Sequence, residues 1–111
     1  MKTILSLSVI LVLSACVQPT QNPAERAARD AAVMRLTNSK CAIYMGGISE
    51  MREVLSAASK KEAEARSLGA DDALIAKGAQ DAQTTFSSLE VVAGKQTACE
   101  NFVNMTVTLA M

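Results

Sequence analysis

The segment CAIYMGGISEMREVLSAASKKEAEAR, residues 41–66, decides the fold class. Cys41, Tyr44, Ile48, Met51, Leu55 and Ala58 recur at alternating intervals of three and four residues. That spacing lines one face of a helix and predicts a seam packed against partner helices. Glu62 interrupts the seam, and KKEAEAR (60–66) reads as a charged, solvated last stretch. Gly69 stands where a helix C-terminal cap belongs. The glycine pair at 46 and 47 is the anomaly, because each glycine inside a helix costs about 1 kcal/mol relative to alanine. Close helix packing or a local helix break accounts for the pair more simply than a ligand site does.

Upstream, Asn22-Pro23-Ala24-Glu25 has the form of a helix start, with Asn at the cap, Pro at the first helical position and Glu three residues after the cap. The alanine-rich AERAARDAAVMRL that follows is good helix material. Thr37-Asn38-Ser39 is either a break or a weak spot in a longer helix. Downstream, Asp71-Asp72 suits the positive end of another helix. Ile75, Gly78, Ala82, Phe86 (or Thr85), Leu89 and Val92 again follow helical spacing, and Gly94 marks the stop. Thr97-Ala98-Cys99-Glu100 reads as a second capping box, placing Cys99 in the first turn of a final helix. NMTVTLAM (104–111) fits helix or strand, and with no other strand to pair with it is assigned to helix. The expected fold is therefore all-α: a small three- or four-helix antiparallel bundle over 23–111, without internal repeat or second domain.

The N-terminus carries a different signal. Met1-Lys2 supplies one positive charge, and Thr3 to Leu13 is mostly Ile, Leu and Val. This run is shorter than the about 20 apolar residues that cross a bilayer core, and it fits a secretory signal peptide. Leu13-Ser14-Ala15-Cys16 resembles the lipobox of bacterial lipoproteins, in which a Leu and two small residues precede an acylated Cys. The resemblance implies that residues 1–15 are removed and that Cys16 takes a diacylglyceryl thioether and further acylation such as palmitate. Residues 16–22 then form a lipidated tether holding the chain at a bilayer without crossing it. In lipoproteins of Gram-negative bacteria, an Asp after the cysteine usually retains the protein at the inner membrane. Val17 stands there here, so the resemblance implies the periplasmic face of the outer membrane.

With Cys16 taken up by lipid, Cys41 and Cys99 remain as an even pair in an oxidising compartment, and a single disulfide is the economical reading. It would tie the start of the second helix to the start of the last. Closing the 59 residues from 41 through 99 would contribute about 4 kcal/mol on chain entropy. Removing residues 1–15 from the 111 leaves 96, a size at which such a staple matters. The mature chain has ten basic and eleven acidic side chains, which argues against nucleic acid as a partner. There is no Trp, and Tyr44, Phe86 and Phe102 are the only aromatics, too few for a stacking platform.

No histidine is present, which removes the commonest general base and the commonest zinc ligand. Glu50, Glu53 and Arg52, or Glu62 and Glu64 with Lys60, Lys61 and Arg66, are read as solvated helix faces rather than acid–base pairs. No Ser or Thr lies in a nucleophile context. The expectation is a non-enzyme with no cofactor, no metal and no evident small-molecule ligand. Met34, Met45, Met51 and Met105 fit core gaps or an adaptable apolar surface. Tyr44, Gly46 and Gly47 are the candidate binding residues. KCAIYMGGI, through Cys41, Tyr44 and Gly47, and the later Cys99 also resemble small disulfide-bonded helical periplasmic proteins. These include immunity proteins against secreted antibacterial effectors, and acid-stress chaperones, although the additional cysteines of those families are missing. The leading expectation is a membrane-anchored envelope lipoprotein binding another envelope protein. An immunity or inhibitor protein and a holdase-like chaperone are the alternatives.

Overall fold

Asn22 starts the first helix as its sequence predicts: its side-chain oxygen accepts from the Glu25 N–H at 2.8 Å, and Pro23 occupies the first turn. The computed structural model describes residues 22–110. These form α1 (Pro23–Lys40), α2 (Ile48–Ser67), α3 (Asp72–Ala93) and α4 (Lys95–Ala110), with a 3-10 turn at Ala42–Tyr44 after α1. Thr37-Asn38-Ser39 does not break α1. Thr37 stays helical by donating its hydroxyl to the Val33 carbonyl at 2.8 Å, the back-bond through which Thr is tolerated inside a helix.

The helix stops fall where glycine permits them. At the end of α2, the Ala70 N–H bonds the Ala65 carbonyl and the Gly69 N–H bonds the Arg66 carbonyl. Gly69 has φ 106°, so this is a Schellman ending, a turn that strains any residue with a Cβ. Asp71 then caps α3 by accepting from the Leu74 N–H at 2.8 Å. Gly94, at φ 90°, ends α3, and α4 begins at the next residue. Thr97 therefore lies inside α4 instead of capping it, and Cys99 falls in the second turn. The C-terminal segment is helical through Ala110.

The helices form an antiparallel bundle around α1. Helices α2 and α3 flank α1 and hardly touch each other, while α4 runs back from the far end of α3 against both α1 and α3. No residue from Ala27 to Asn38 of α1 is fully exposed. Near the start of α1 the packing is almost all alanine: Ala24, Ala27 and Ala28 meet Ala65 and Ala70, with Leu74 and Ile75 alongside. Toward its end the core is larger. Phe86 and Phe102 meet edge to face with centroids 5.0 Å apart, a geometry that matches the ring quadrupoles. Beside them Thr106 donates its hydroxyl to the Thr37 oxygen at 3.1 Å, so two buried hydroxyls satisfy each other.

The structure corrects the phase of the α2 seam. Val54, Ala58 and Ala65 are buried, whereas Ile48 is 70% and Leu55 45% exposed. The 3,4 spacing from Cys41 to Ala58 runs across a turn, so its first two members belong to a different element from the rest. On α3, Gly78, Ala82 and Phe86 face the core and Thr85 does not. Val92, the last residue of that predicted stripe, is 85% exposed in the last turn of α3. Glu62 does face solvent in part, but it also reaches across to the Arg35 guanidinium of α1 at 2.5 Å.

Candidate interaction surfaces

Cys16 and the rest of the lipobox lie outside the described residues. Cys41 and Cys99 are joined in a disulfide with their Cα atoms 5.4 Å apart. Cys41 is the C-terminal cap of α1 and not the start of the second helix, so the bond ties the end of α1 to the second turn of α4. Both cysteines are fully buried. Tyr44 is half-buried against the cluster that contains Cys41, Cys99 and Phe86.

The glycine pair belongs to the link between α1 and α2, not to a helix interior. The Gly46 N–H donates to the Glu50 carboxylate, which closes the turn from the first turn of α2. Gly47 caps α2 at φ 111°, a conformation open to glycine and strained for other residues. The two positions should therefore respond differently to alanine. Gly47→Ala should lower the unfolding free energy by about 1–2 kcal/mol. At Gly46, a Cβ meets only the movable Glu50 side chain, so Gly46→Ala should cost clearly less. Thermal melts of the two variants give the comparison, and equal losses would contradict this assignment of the turn.

Sequence spacing missed the aliphatic residues that the fold leaves outside. Ile43 is 85% exposed, and Val91 and Val92 are 86% and 85% exposed. Ile43 sits in the 3-10 turn beside the disulfide, Ile48 opens α2, and the two valines end α3, so all four lie at the disulfide end of the bundle. The signal was present in the helix boundaries: an apolar residue in the last turn before a stop glycine often has no neighbouring helix to meet.

A second surface is a trough of about 600 Å³ between α1, α3 and α4. Its apolar lining is Val33, Ala82, Phe102, Met105 and Leu109, and its polar lining includes Arg29, Asp30, Asn101 and Asn104. Of the four methionines considered from sequence, Met34 is fully buried. Met45 packs beside it, Met51 is half-buried, and Met105 alone lines the trough. Asp30 also lines the smaller adjoining cleft of about 240 Å³ with Arg26, Lys61 and Glu64. It makes no hydrogen bond or ion pair among the described residues. Burial pushes its carboxyl above the ordinary value, against the pull of Arg29, Lys61 and Arg26.

Among the described residues, no group of His, Cys, Asp and Glu side chains is placed to hold a metal ion, and no helix is long and apolar enough to cross a membrane. No family model, curated protein or solved structure matches the chain.

Proposed function

We propose that this chain is a lipid-anchored envelope protein whose helical domain is a non-catalytic interaction module for another envelope protein. The observation that carries the reading is the set of aliphatic side chains at the disulfide end, Ile43, Ile48, Val91 and Val92, exposed by 70–86%. Burying such a side chain against a partner contributes about 1.5 kcal/mol or more. Four of them at one end are an interaction site more readily than a scatter of surface residues. The lipobox reading fixes the other end. The tether joins α1 at Asn22, and the 18 residues of α1 separate that junction from the disulfide by about 27 Å at 1.5 Å per residue. The aliphatic end then lies away from the anchor, toward proteins of the periplasm. The outer membrane, on the reading of Val17, is the membrane that holds it. Confinement to a surface raises the effective concentration of other anchored proteins, so a small contact suffices.

The test places a photo-crosslinker at Ile43 or Val92 in intact cells, with exposed Ala63 of α2 as control. The expected result is one crosslinked envelope protein from the first two positions and none from the control. Cys16→Ser should abolish labelling by a fatty-acid probe and reduce the crosslink. Persistent labelling would overturn the anchor. Absence of any crosslink from the aliphatic end would overturn the module. Many unrelated partners, captured only under acid stress, would favour the holdase instead.

A further inference from the structure

We infer that the link between α1 and α2 is the point at which a protease cuts the folded chain, and that the Cys41–Cys99 bond holds the molecule together after the cut. This goes beyond the interaction module and does not depend on the lipid.

The place comes first. Proteases enter folded proteins at exposed links, because the hydrogen bonds of a helix must open before its backbone reaches an active site. Three links join the described helices: residues 41–47, residues 68–71 and Gly94. Gly94 is a single residue between two helices. The second link is a closed turn, in which Gly69 and Ala70 both donate backbone bonds into α2 and Ala70 is buried. The first is the longest and the least tied. After the 3-10 turn its backbone runs extended through Met45, at φ −98° and ψ 165°. Gly46 and Gly47 are exposed, and the Gly46 N–H is held only by the Glu50 side chain at the surface. Ile43 and Ile48, exposed by 85% and 70%, flank this stretch and offer aliphatic side chains to a protease subsite.

The topology comes second. Cys41 precedes all three links and Cys99 follows them. Hydrolysis within 42–47 consumes one water and leaves a new carboxylate on one piece and a new ammonium on the other. One piece carries α1 and Cys41, the other carries α2, α3, α4 and Cys99, and the S–S bond is untouched. Both cysteines are fully buried, so a thiolate does not reach them while the fold stands. Peptide link and disulfide are thus two covalent paths joining α1 to the rest of the bundle. Removing either one frees the unfolded chain to a similar extent, because either loss opens the same closed loop. Removing both turns folding into an association of two chains, which depends on concentration. α1 touches each of the other three helices, so it remains seated after the cut. Whatever α1 is tethered to stays joined to Ile48, Val91 and Val92.

The test is a brief digestion of the purified, disulfide-intact protein with subtilisin, chosen for its broad specificity. The first cut should fall between residues 42 and 48, read from the mass of the fragments. Gels should show one band of parent size without reductant and two fragments with it. The cut, oxidised protein should keep its helical circular dichroism in the cold. It should melt roughly 15–30 °C below the parent, within a few degrees of uncut protein with Cys41 and Cys99 both replaced by alanine. Cut protein that is reduced in denaturant and then diluted should regain helix only in proportion to its concentration. A first cut inside a helix or in 68–71 would overturn the site. A cut, oxidised protein with no cooperative melt, or one melting with the parent, would overturn the role given to the disulfide. So would concentration-independent refolding after reduction. The crosslinking experiment judges the interaction module separately.

Discussion

Replacing Cys41 and Cys99 together with alanine should lower the unfolding free energy by about 4 kcal/mol, the loop-closure entropy returned to the unfolded chain. For a domain near 90 residues, that corresponds to a melting point lower by roughly 15–30 °C. The loss falls hardest on α4, because little else holds it. Its partners are α1 and α3, with a lighter contact to α2, and its buried residues are Ala98, Cys99, Phe102 and Thr106. Among these Phe102 is the one large apolar side chain. Total stabilities of small domains are about 5–15 kcal/mol, so the loss takes a major share. Amide exchange should show α4 opening first in the variant, with α1 retaining the most protection. The parent should resist reduction without denaturant, since both cysteines are fully buried and a thiolate must reach the sulfur it attacks. A melting point within a few degrees of the parent's would mean that helix packing alone holds α4 in place.

The staple was legible in the sequence because, once the lipobox reading sets Cys16 aside, Cys41 and Cys99 are the two cysteines left to pair. So were the stops. Asn22, Asp71, Gly69 and Gly94 act through their own backbone or through a bond three residues away, and such local chemistry is written in adjacent letters. Phase along α2 was not local. Cys41 and Tyr44 share the helical spacing of Met51 and Ala58, yet Gly47 adopts φ 111° between them and resets the rotation. Periodicity cannot register that reset, although the two glycines gave its location. Thr97 shows the reverse error: its side chain and Glu100 form a sound capping pattern, but Gly94 ends α3 so abruptly that α4 starts before Thr97 is reached. Glu100 instead accepts from Gln96 within the helix. The exposed aliphatics and the trough were beyond sequence for a different reason. Both are made by where helices end relative to one another, and Val92 carries the same spacing whether or not a neighbour extends to meet it. Asn38 is a related case. Within a segment that reads as either a break or a weak spot in a longer helix, it is buried in α1 with its Oδ1 unpartnered among the described residues.

The strongest single-residue test of the packing falls on Gly78. In an exposed helix, replacing glycine with alanine gains about 1 kcal/mol from reduced backbone freedom. Here α3 crosses α1 so closely that a Cβ on Gly78 would lie 2.9 Å from the Ala28 carbonyl carbon, 3.0 Å from its oxygen and 3.0 Å from the Arg29 nitrogen. All three are backbone atoms of a helix that is itself held on three sides. None can turn aside as a side-chain end would, so the helices must separate. That separation loosens Ala82 and Phe86 on the same face of α3, and overpacking of this kind costs about 1–3 kcal/mol. The clash therefore outweighs the propensity gain, and Gly78→Ala should destabilise despite replacing the poorer helix former. Gly78→Leu should cost more, beyond about 3 kcal/mol, because the larger side chain has no space between the helices. The control is Ala76→Gly on the exposed face of α3, which should cost about 1 kcal/mol from propensity alone. Denaturant midpoints of the three variants decide the matter. If Gly78→Ala is the more stable protein, α3 does not approach α1 this closely, and the alanine-lined half of the bundle is looser than the geometry described above.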